Sequence, residues 1–376
     1  MSNKRQEILD WLEKNRRPEI RIQFKKAEQP LSVGVSKIGG CPDVPADFVW
    51  PRIKQAGFMD MQGRENMLRP LAFMAQFNLS ELTDFDKENL LPKQGHLLFF
   101  YDYETINGGE NQDCLKVFYF PPETPLTQMP LPDDMSKDCR IPELQVSFQV
   151  SANVPSSDRV RERFGEVSGD DALTDENWET FWGESRGDYV PKLLGYADNI
   201  QGVMEESCAK YALGYGIYDW DDYNNKPEVK AQVDKDKDDW ILLFQLDEID
   251  WDNQDWQNTP VDFSGLYEVG DKLPIMGKAF NNYIDKYKAA LEQGGMQVIG
   301  KRQKEKKSFF SSLIGGIFGG KNNTPDDEVE ETIDNEEDDE MTSLCFGDGG
   351  CLYVFIRKQD LAAGRFDKVY FEVQSH

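Results

Sequence analysis

The stretches that decide the fold are FMAQFNLSEL at Phe73–Leu82 and LLFQLDEIDW at Leu242–Trp251, which resemble each other closely. In each, an apolar run leads into a glutamine, an apolar residue, an asparagine or aspartate, and a polar turn. The two glutamines are Gln76 and Gln245. A short apolar run bounded by turn residues is typical of a buried strand. The chain therefore uses the same strand-and-turn pattern twice.

Two further strand-like blocks follow each copy in the same order. The first copy is followed by GHLLFFY (Gly95–Tyr101) and LKVFYF (Leu115–Phe120), and the second by GCLYVFI (Gly350–Ile356) and DKVYFE (Asp367–Glu372). A shared order of three blocks is harder to obtain by chance than a single match. It predicts an α+β, strand-rich and internally duplicated fold, made of two related antiparallel-sheet units.

This pattern divides the chain into four parts and an insertion. They are an N-terminal helix and strand at 1–28, repeat 1 at 29–150, a mainly helical linker at 151–217, and repeat 2 at 218–376, which an insertion interrupts at about 252–342. DDEVEETIDNEEDDE at Asp326–Glu340 is too acidic to bury much apolar surface. We therefore expect 301–340 to be a mobile, partly disordered part of the insertion.

Charge and hydropathy limit the possible partners. The formal net charge is -27, and such a surface repels nucleic acid and anionic lipid while attracting basic proteins. The apolar stretch at Ser308–Gly320 is shorter than the ~20 residues that a membrane-spanning helix needs. The charged start, MSNKRQEILDWLEKNRR, lacks the apolar region of a secretory signal. The sequence predicts a cytoplasmic protein that binds neither nucleic acid nor membrane.

No motif for catalysis, a metal or a cofactor is recognisable. The 6 cysteines form no CxxC pair and predict reduced thiols, and the 2 histidines are too few for a Cys/His metal centre. DKDKDD at Asp234–Asp239 begins like a calcium loop, but Asp239 replaces the turn glycine and Gln245 replaces the bidentate glutamate. We predict no catalytic residue, no metal ligand and no cofactor.

A ligand-binding cleft is predicted from the loop SKIGGCPDVPADFVWP at Ser36–Pro51. Its 2 adjacent glycines and 3 prolines forbid a regular element and indicate one rigid shape, as binding loops often have. We expect it to lie beside Leu193–Gln201 over the junction of the repeats. The walls of the predicted cleft are formed by Lys37, Trp50, Tyr196 and Gln201, and its floor by Gln76 and Gln245. The head groups of Lys37 and Gln201 are expected to be accessible. The alternative is that the loop plugs the end of a sheet and the glutamines are a structural pair.

Several motifs together resemble the YwqG-like family, a bacterial family of uncharacterised function. They are SKIGGCPDVPADFVWP, PLAFMAQFNLSEL, GHLLFFYD, LLGYADNIQG, WILLFQLD and GDGGCLYVFIRKQDLAAGRFDKVYFEVQ, and they extend over most of the chain from Pro30 to Gln374. The resemblance implies a mixed α+β fold with internal repeats and brings no catalytic residues. The long insertion, Cys41 in the loop and the absence of a proline from LLGYADNIQ depart from the family pattern.

The sequence favours a non-enzymatic module that binds a basic protein or a small molecule. One alternative is an immunity-like or antitoxin-like protein whose acidic surface caps a basic partner. Another is an enzyme that uses carboxylates on a small molecule. No sequence feature separates these three classes, and none indicates an oligomeric state.

Overall fold

The structure is a computed structural model that describes residues 3–54, 68–104, 111–169, 172–173, 190–216, 225–250, 343–347 and 349–375. The predicted insertion at 252–342 and its predicted mobile part at 301–340 lie outside the described residues. In the described part of the chain, no helix combines the length and apolar character that crossing a membrane requires.

Strands dominate the described residues. The strands are β1 (Arg17–Lys26), β2 (Lys37–Ile38), β3 (Asp43–Val44), β4 (Arg52–Ile53), β5 (Arg69–Pro70), β6 (Ala72–Asn78), β7 (His96–Tyr101), β8 (Leu115–Phe120), β9 (Thr127–Gln128), β10 (Leu144–Asn153), β11 (Lys192–Leu193), β12 (Trp240–Leu246), β13 (Ile249–Asp250), β14 (Ser343–Leu344), β15 (Cys351–Arg357) and β16 (Val369–Gln374). The helices are α1 (Asn3–Lys14), α2 (Ser157–Phe164), α3 (Glu205–Ala212), α4 (Pro227–Asp236) and α5 (Lys358–Ala362). The strand-rich α+β prediction is confirmed.

One 10-stranded antiparallel sheet organises the molecule, in the order β16-β15-β12-β11-β1-β10-β2-β6-β7-β8. The order is symmetric about the central pair, β1 and β10. On one side β2, β6, β7 and β8 follow in chain order, and on the other β11, β12, β15 and β16 do the same. The first long strand, β1, lies beside the later strand β11, whereas β10 lies beside the early strand β2. The long strand that comes first in the chain thus lies beside a later strand, and the long strand that comes later lies beside an early one; β1 and β10 are called the exchanged strands below.

The residue patterns explain these positions in the sheet. In β1, Ile20, Ile22 and Phe24 are buried and alternate with more exposed polar residues, as in a strand with one face on the core. Strands β6 and β12 are instead buried on both faces, which matches their continuous apolar runs. In both strands the pairing register shifts just before the glutamine. The shift lies between Phe73 and Ala75 in β6 and between Leu242 and Phe244 in β12.

The large sheet curls around one core until its two outer strands approach each other. Inside, the ring of Phe244 packs against those of Phe77 and Phe99, at centroid distances of 5.3 and 4.6 Å. At the seam between β8 and β16, the Gln112 side chain accepts a hydrogen bond from Phe371 N and donates one to Phe371 O, both at 2.8 Å. Residues of both halves therefore share one apolar cluster.

If the predicted duplication is accepted, the strand pairing changes the alignment of its third block. His96 is opposite Phe120, and Cys351 is opposite Gln374. With Gly95 matched to Gly350, Leu115 therefore corresponds to Val369 and not to Asp367. A slip of two residues keeps every side chain on the same face of a strand, so the alternating aromatic pattern cannot distinguish the two alignments.

We predict that the Gln112 amide stabilises the seam. Because Gln112→Ala leaves the N–H and C=O of Phe371 without this partner, we expect the free energy of unfolding to fall by about 1–2 kcal/mol. Hydrogen exchange at the Phe371 amide should also become faster. The control is Gln128→Ala at an exposed strand position. Unchanged exchange at Phe371 would contradict a role for Gln112 in closing the sheet.

Candidate functional site

The loop at 36–51 is held in a single shape by close packing. Gly39 and Gly40 have φ angles of +63° and +70°, in the left-handed region that favours glycine. A Cβ atom on Gly39 would lie only 2.3 Å from the carbonyl oxygen of Pro142. At the far end, Trp50 is buried against Phe100, and its Nε1 donates a hydrogen bond to Leu71 O at 2.9 Å. Trp50 is thus an anchor of the loop in the core.

Beneath this loop lies a fully buried lysine. The ammonium of Lys37 is 3.4 Å from Asp43 Oδ1 and 3.2 Å from Glu143 Oε2. Gln76 completes the network, because its Nε2 donates to Asp43 Oδ2 at 2.6 Å and to Val35 O at 2.8 Å. Its Oε1 accepts a hydrogen bond from Asp43 N at 2.9 Å. One buried amide therefore binds both ends of the turn that holds the lysine.

A second network repeats these contacts in the other half of the sheet. The ammonium of Lys192 is 2.6 Å from Asp198 Oδ1 and 3.1 Å from Glu19 Oε2. Gln245 Nε2 donates to Asp198 Oδ2 at 2.8 Å and to Val190 O at 3.1 Å. Gln245 Oε1 accepts from Asp198 N at 3.0 Å. Each lysine is also directly opposite its glutamine across a strand pair.

Each network joins a loop to a central long strand through a glutamate. Glu143 immediately precedes β10 and binds the lysine of β2, whereas Glu19 lies in β1 and binds the lysine of β11. Each buried lysine is therefore an ionic cross-link between a loop and the long strand beside it.

Lys192 and Glu19 of the second network are ionised at neutral pH. Burial disfavours the charge on Lys192, but Asp198 and Glu19 outweigh this effect and raise the pKa of the ammonium. Burial likewise opposes ionisation of Glu19, yet Lys192 and Arg21 outweigh it and lower the pKa of that carboxyl. Arg21 Nε lies 2.7 Å from Glu19 Oε1. These carboxylates are committed to internal ion pairs and are poorly suited to transfer protons to a substrate.

The predicted cleft residues fall into two groups. Lys37, Trp50 and Gln76 belong to the first loop, and Lys37 is fully buried where an accessible head group was expected, because its charge is neutralised inside the protein. Gln245 belongs to the second network. Four strands, β11, β1, β10 and β2, stand between β12 and β6, so the two glutamines lie in separate networks and not on one common floor.

The remaining two predicted residues lie on the second loop. Tyr196 is half-buried, its hydroxyl donates to Asn15 O at 2.9 Å, and the guanidinium carbon of Arg17 lies 4.3 Å from its ring centre. Gln201 is exposed, and its backbone N–H donates to Gln374 Oε1 at 2.9 Å. Of the predicted site residues, Gln201 presents the most accessible side chain. Ligand binding by the set stays a prediction.

Sequence reasoning missed the carboxylates and the second lysine. A signal for part of the network was present, because SKIGGCPD and PKLLGYAD share a lysine, a glycine three residues later and an aspartate three residues after that. The shared glycines, Gly40 and Gly195, have similar φ angles of +70° and +75°. Glu19 and Glu143 carry no such signal, because each lies far in sequence from the lysine that it binds. Glu19 is 173 residues before Lys192, and Glu143 is 106 residues after Lys37.

The described residues offer little for metal or thiol chemistry. Among them, no group of three or more His, Cys, Asp or Glu side chains is arranged to hold a metal ion. Burial raises the pKa of Cys114, Cys139, Cys208 and Cys351 above the ordinary value of a thiol. These thiols stay protonated at neutral pH and are weak nucleophiles.

We predict that Lys192→Met destabilises the protein by about 3–5 kcal/mol at neutral pH, because it removes the buried cation that Asp198 and Glu19 share and leaves Glu19 only its contact with the partly exposed Arg21. Because folding lowers the pKa of Glu19, its ion pairs stabilise the folded state fully above pH 4.5, the ordinary pKa. This stabilisation is lost as the pH falls through the folded-state pKa. Because folding raises the pKa of Lys192, its ion pairs stabilise the folded state fully below pH 10.5, the ordinary pKa. This stabilisation is lost as the pH rises through the folded-state pKa. Denaturant unfolding at several pH values should therefore show the largest difference from wild type between these limits.

The control for this comparison is Lys25→Met, which removes an exposed lysine from β1. We expect that variant to unfold within about 0.5 kcal/mol of wild type at every pH. A difference for Lys192→Met that grows in acid would contradict the ion-pair assignment.

We predict that Gly39→Ala is far more harmful than Gly364→Ala. Both glycines have left-handed φ angles, +63° and +68°, so both changes carry a backbone cost of about 1–2 kcal/mol. Only at Gly39 does the new Cβ meet a backbone atom, whereas nothing lies within 4 Å at Gly364. Thermal unfolding should show at least about 2 kcal/mol more destabilisation for Gly39→Ala. Equal effects would mean that the loop moves freely.

Comparison with known proteins places this architecture in a family. The model of a domain of unknown function (DUF1963) matches residues 36–260 and 280–375, which include both lysine loops and most of the strands. No curated protein matches the chain. The protein therefore belongs to the DUF1963 family, whose function is unknown.

Proposed function

We propose that the protein is a non-enzymatic, cytoplasmic binding module of the YwqG-like type, whose loops at 36–51 and 192–202 recognise a basic partner protein. The observation that carries the proposal is the pair of buried lysine networks beneath these loops. A surface loop that is rigid before binding loses less conformational entropy when a partner docks. The net charge of -27 supports a basic partner.

The predicted site residues then have two different roles. Gln201 and Tyr196 contact the partner, because they lie on the second loop with at least part of the side chain accessible. Lys37, Gln76, Gln245 and Trp50 are positioning residues that hold the loops in place. This division replaces one continuous cleft with two prepared loops on a common scaffold.

We also propose that the two halves descend from an internal duplication in which the first strands were exchanged. Three features support this: the symmetric strand order, the matching lysine networks, and the irregularities at corresponding places in β6 and β12. We propose the division of the chain into 1–28, 29–150, 151–217 and 218–376 as a division by sequence. In space, β10 (Leu144–Asn153) crosses the boundary at 150, and β11 (Lys192–Leu193) joins the sheet from the linker.

An immunity-like role that caps a basic toxin is a special case of the same function, and the net charge favours it equally. A carboxylate-based enzyme is less well supported. Asp43, Glu143, Glu19 and Asp198 converge in the two networks, but each is within 3.4 Å of a buried lysine ammonium. These contacts commit the carboxylates to internal ion pairs, which leaves them poorly placed to meet a substrate.

The test is affinity capture with the full chain, followed by native mass spectrometry of the complex. We expect a protein partner of basic isoelectric point that is released by salt, because exposed charge attraction is screened at high ionic strength. Gln201→Arg should weaken capture at least tenfold, whereas Gln94→Arg at another exposed position should not. A bound small molecule in place of a protein, or equal capture by both variants, would contradict the proposal.

A further inference from the structure

Strand β10 has a long open edge next to the lysine loops. β1 pairs with all of β10 from Leu144 to Asn153. On the other side, β2 pairs only with Leu144 and Gln145, and no other described strand pairs with β10 there. The backbone groups that point to this side of 146–152 are therefore without a neighbouring strand in the described part of the chain.

This edge also lacks the features that normally protect an open strand. Native proteins block such edges with charged residues, prolines or bulges, because free N–H and C=O groups invite pairing with another chain. The sequence LQVSFQVSAN of β10 contains no charged residue and no proline, in a chain of which 30% is charged. Its pairing with β1 is continuous and without a bulge. Ser147, Gln149 and Val150 are exposed along it.

A turn packs on the core-facing side of β10. The ring of Phe85 lies 5.8 Å from that of Phe148, and both side chains pack against the core. Successive side chains of a strand point to opposite faces, so those of Ser147 and Gln149 lie on the other, exposed face. The exposed face of the open edge is therefore the one that an added segment can share.

We propose that an extended, basic segment of the partner protein adds to the sheet along Val146–Ala152, with its cationic side chains on the exposed face beside Ser147 and Gln149. This rests on the proposed function and names how the partner is held. The net charge of -27 favours a cationic segment. Backbone pairing supplies affinity in this kind of recognition, and side chains supply selectivity. A second copy of the chain fits less well, because two molecules of net charge -27 repel each other.

The test uses three synthetic peptides with the full chain: acetyl-KVKVKVK-amide, acetyl-EVEVEVE-amide and acetyl-KVKPKVK-amide. The first is basic and extended, the second reverses the charge, and the third loses a backbone donor through proline. Hydrogen exchange at Val146–Ala152 should slow at least tenfold with the first peptide and stay unchanged with the other two. The protection should weaken at high salt.

A matched pair of variants separates edge pairing from general charge attraction. Gln149→Lys places a cation on the exposed face of β10, and Gln94→Lys places one on an exposed position outside it. We expect the dissociation constant of the first peptide to rise at least tenfold only for Gln149→Lys. Both variants should melt like wild type, and a folding defect in Gln149→Lys is bypassed by measuring Ser147→Lys in its place.

The possible failures point to different errors. If the basic peptide binds without protecting Val146–Ala152, or no peptide binds, edge pairing is overturned while a basic partner at the loops stands. Equal protection by the acidic peptide overturns the choice of a basic segment. Self-association in sedimentation experiments, with protection of the same amides, would make a second copy the occupant and overturn the proposal. Loss of partner capture by Gln201→Arg alone would support the proposed function without supporting the edge.

Discussion

A buried lysine ammonium between two carboxylates is the interaction on which the rest of the structure depends. In each half, one carboxylate comes from the lysine's own loop and the other from the exchanged long strand, as with Lys37, Asp43 and Glu143. Removing one partner leaves an uncompensated charge in the interior, which is far more costly than the intact set. The same contact therefore fixes the loop, the strand beside it and the junction of the halves.

This constraint connects the fold to the proposed binding role. The networks hold the loops at 36–51 and 192–202 against opposite ends of the central β1–β10 pair: Lys37 is opposite Gln145, and the Tyr196 backbone N–H donates to Asn153 Oδ1 at 2.9 Å. The edge of β10 runs between these two ends. The scaffold thus holds a rigid loop at each end of the strand that is proposed to receive an extended segment.

The repeated strands could be predicted from the sequence because Gln76 and Gln245 follow the same kind of apolar run. The strand exchange could not, because side-chain periodicity reports which face of a strand is buried and not which strand is its neighbour. Lys37 was expected at the surface because lysine is rarely buried without a partner. Its partner Glu143 is distant in sequence, and only the three-dimensional pairing of β2 with β10 brings the two charges together.

The most direct test of the central claim is a double-mutant cycle on Lys37 and Glu143, measured by denaturant unfolding. Lys37→Met and Glu143→Leu each break the contact between these two charges, whereas the double variant removes both charges together. The account predicts that the double variant loses less stability than the sum of the single ones, with a coupling energy of about 2–3 kcal/mol. Additivity within about 0.5 kcal/mol would show that the lysine does not link the loop to the exchanged strand.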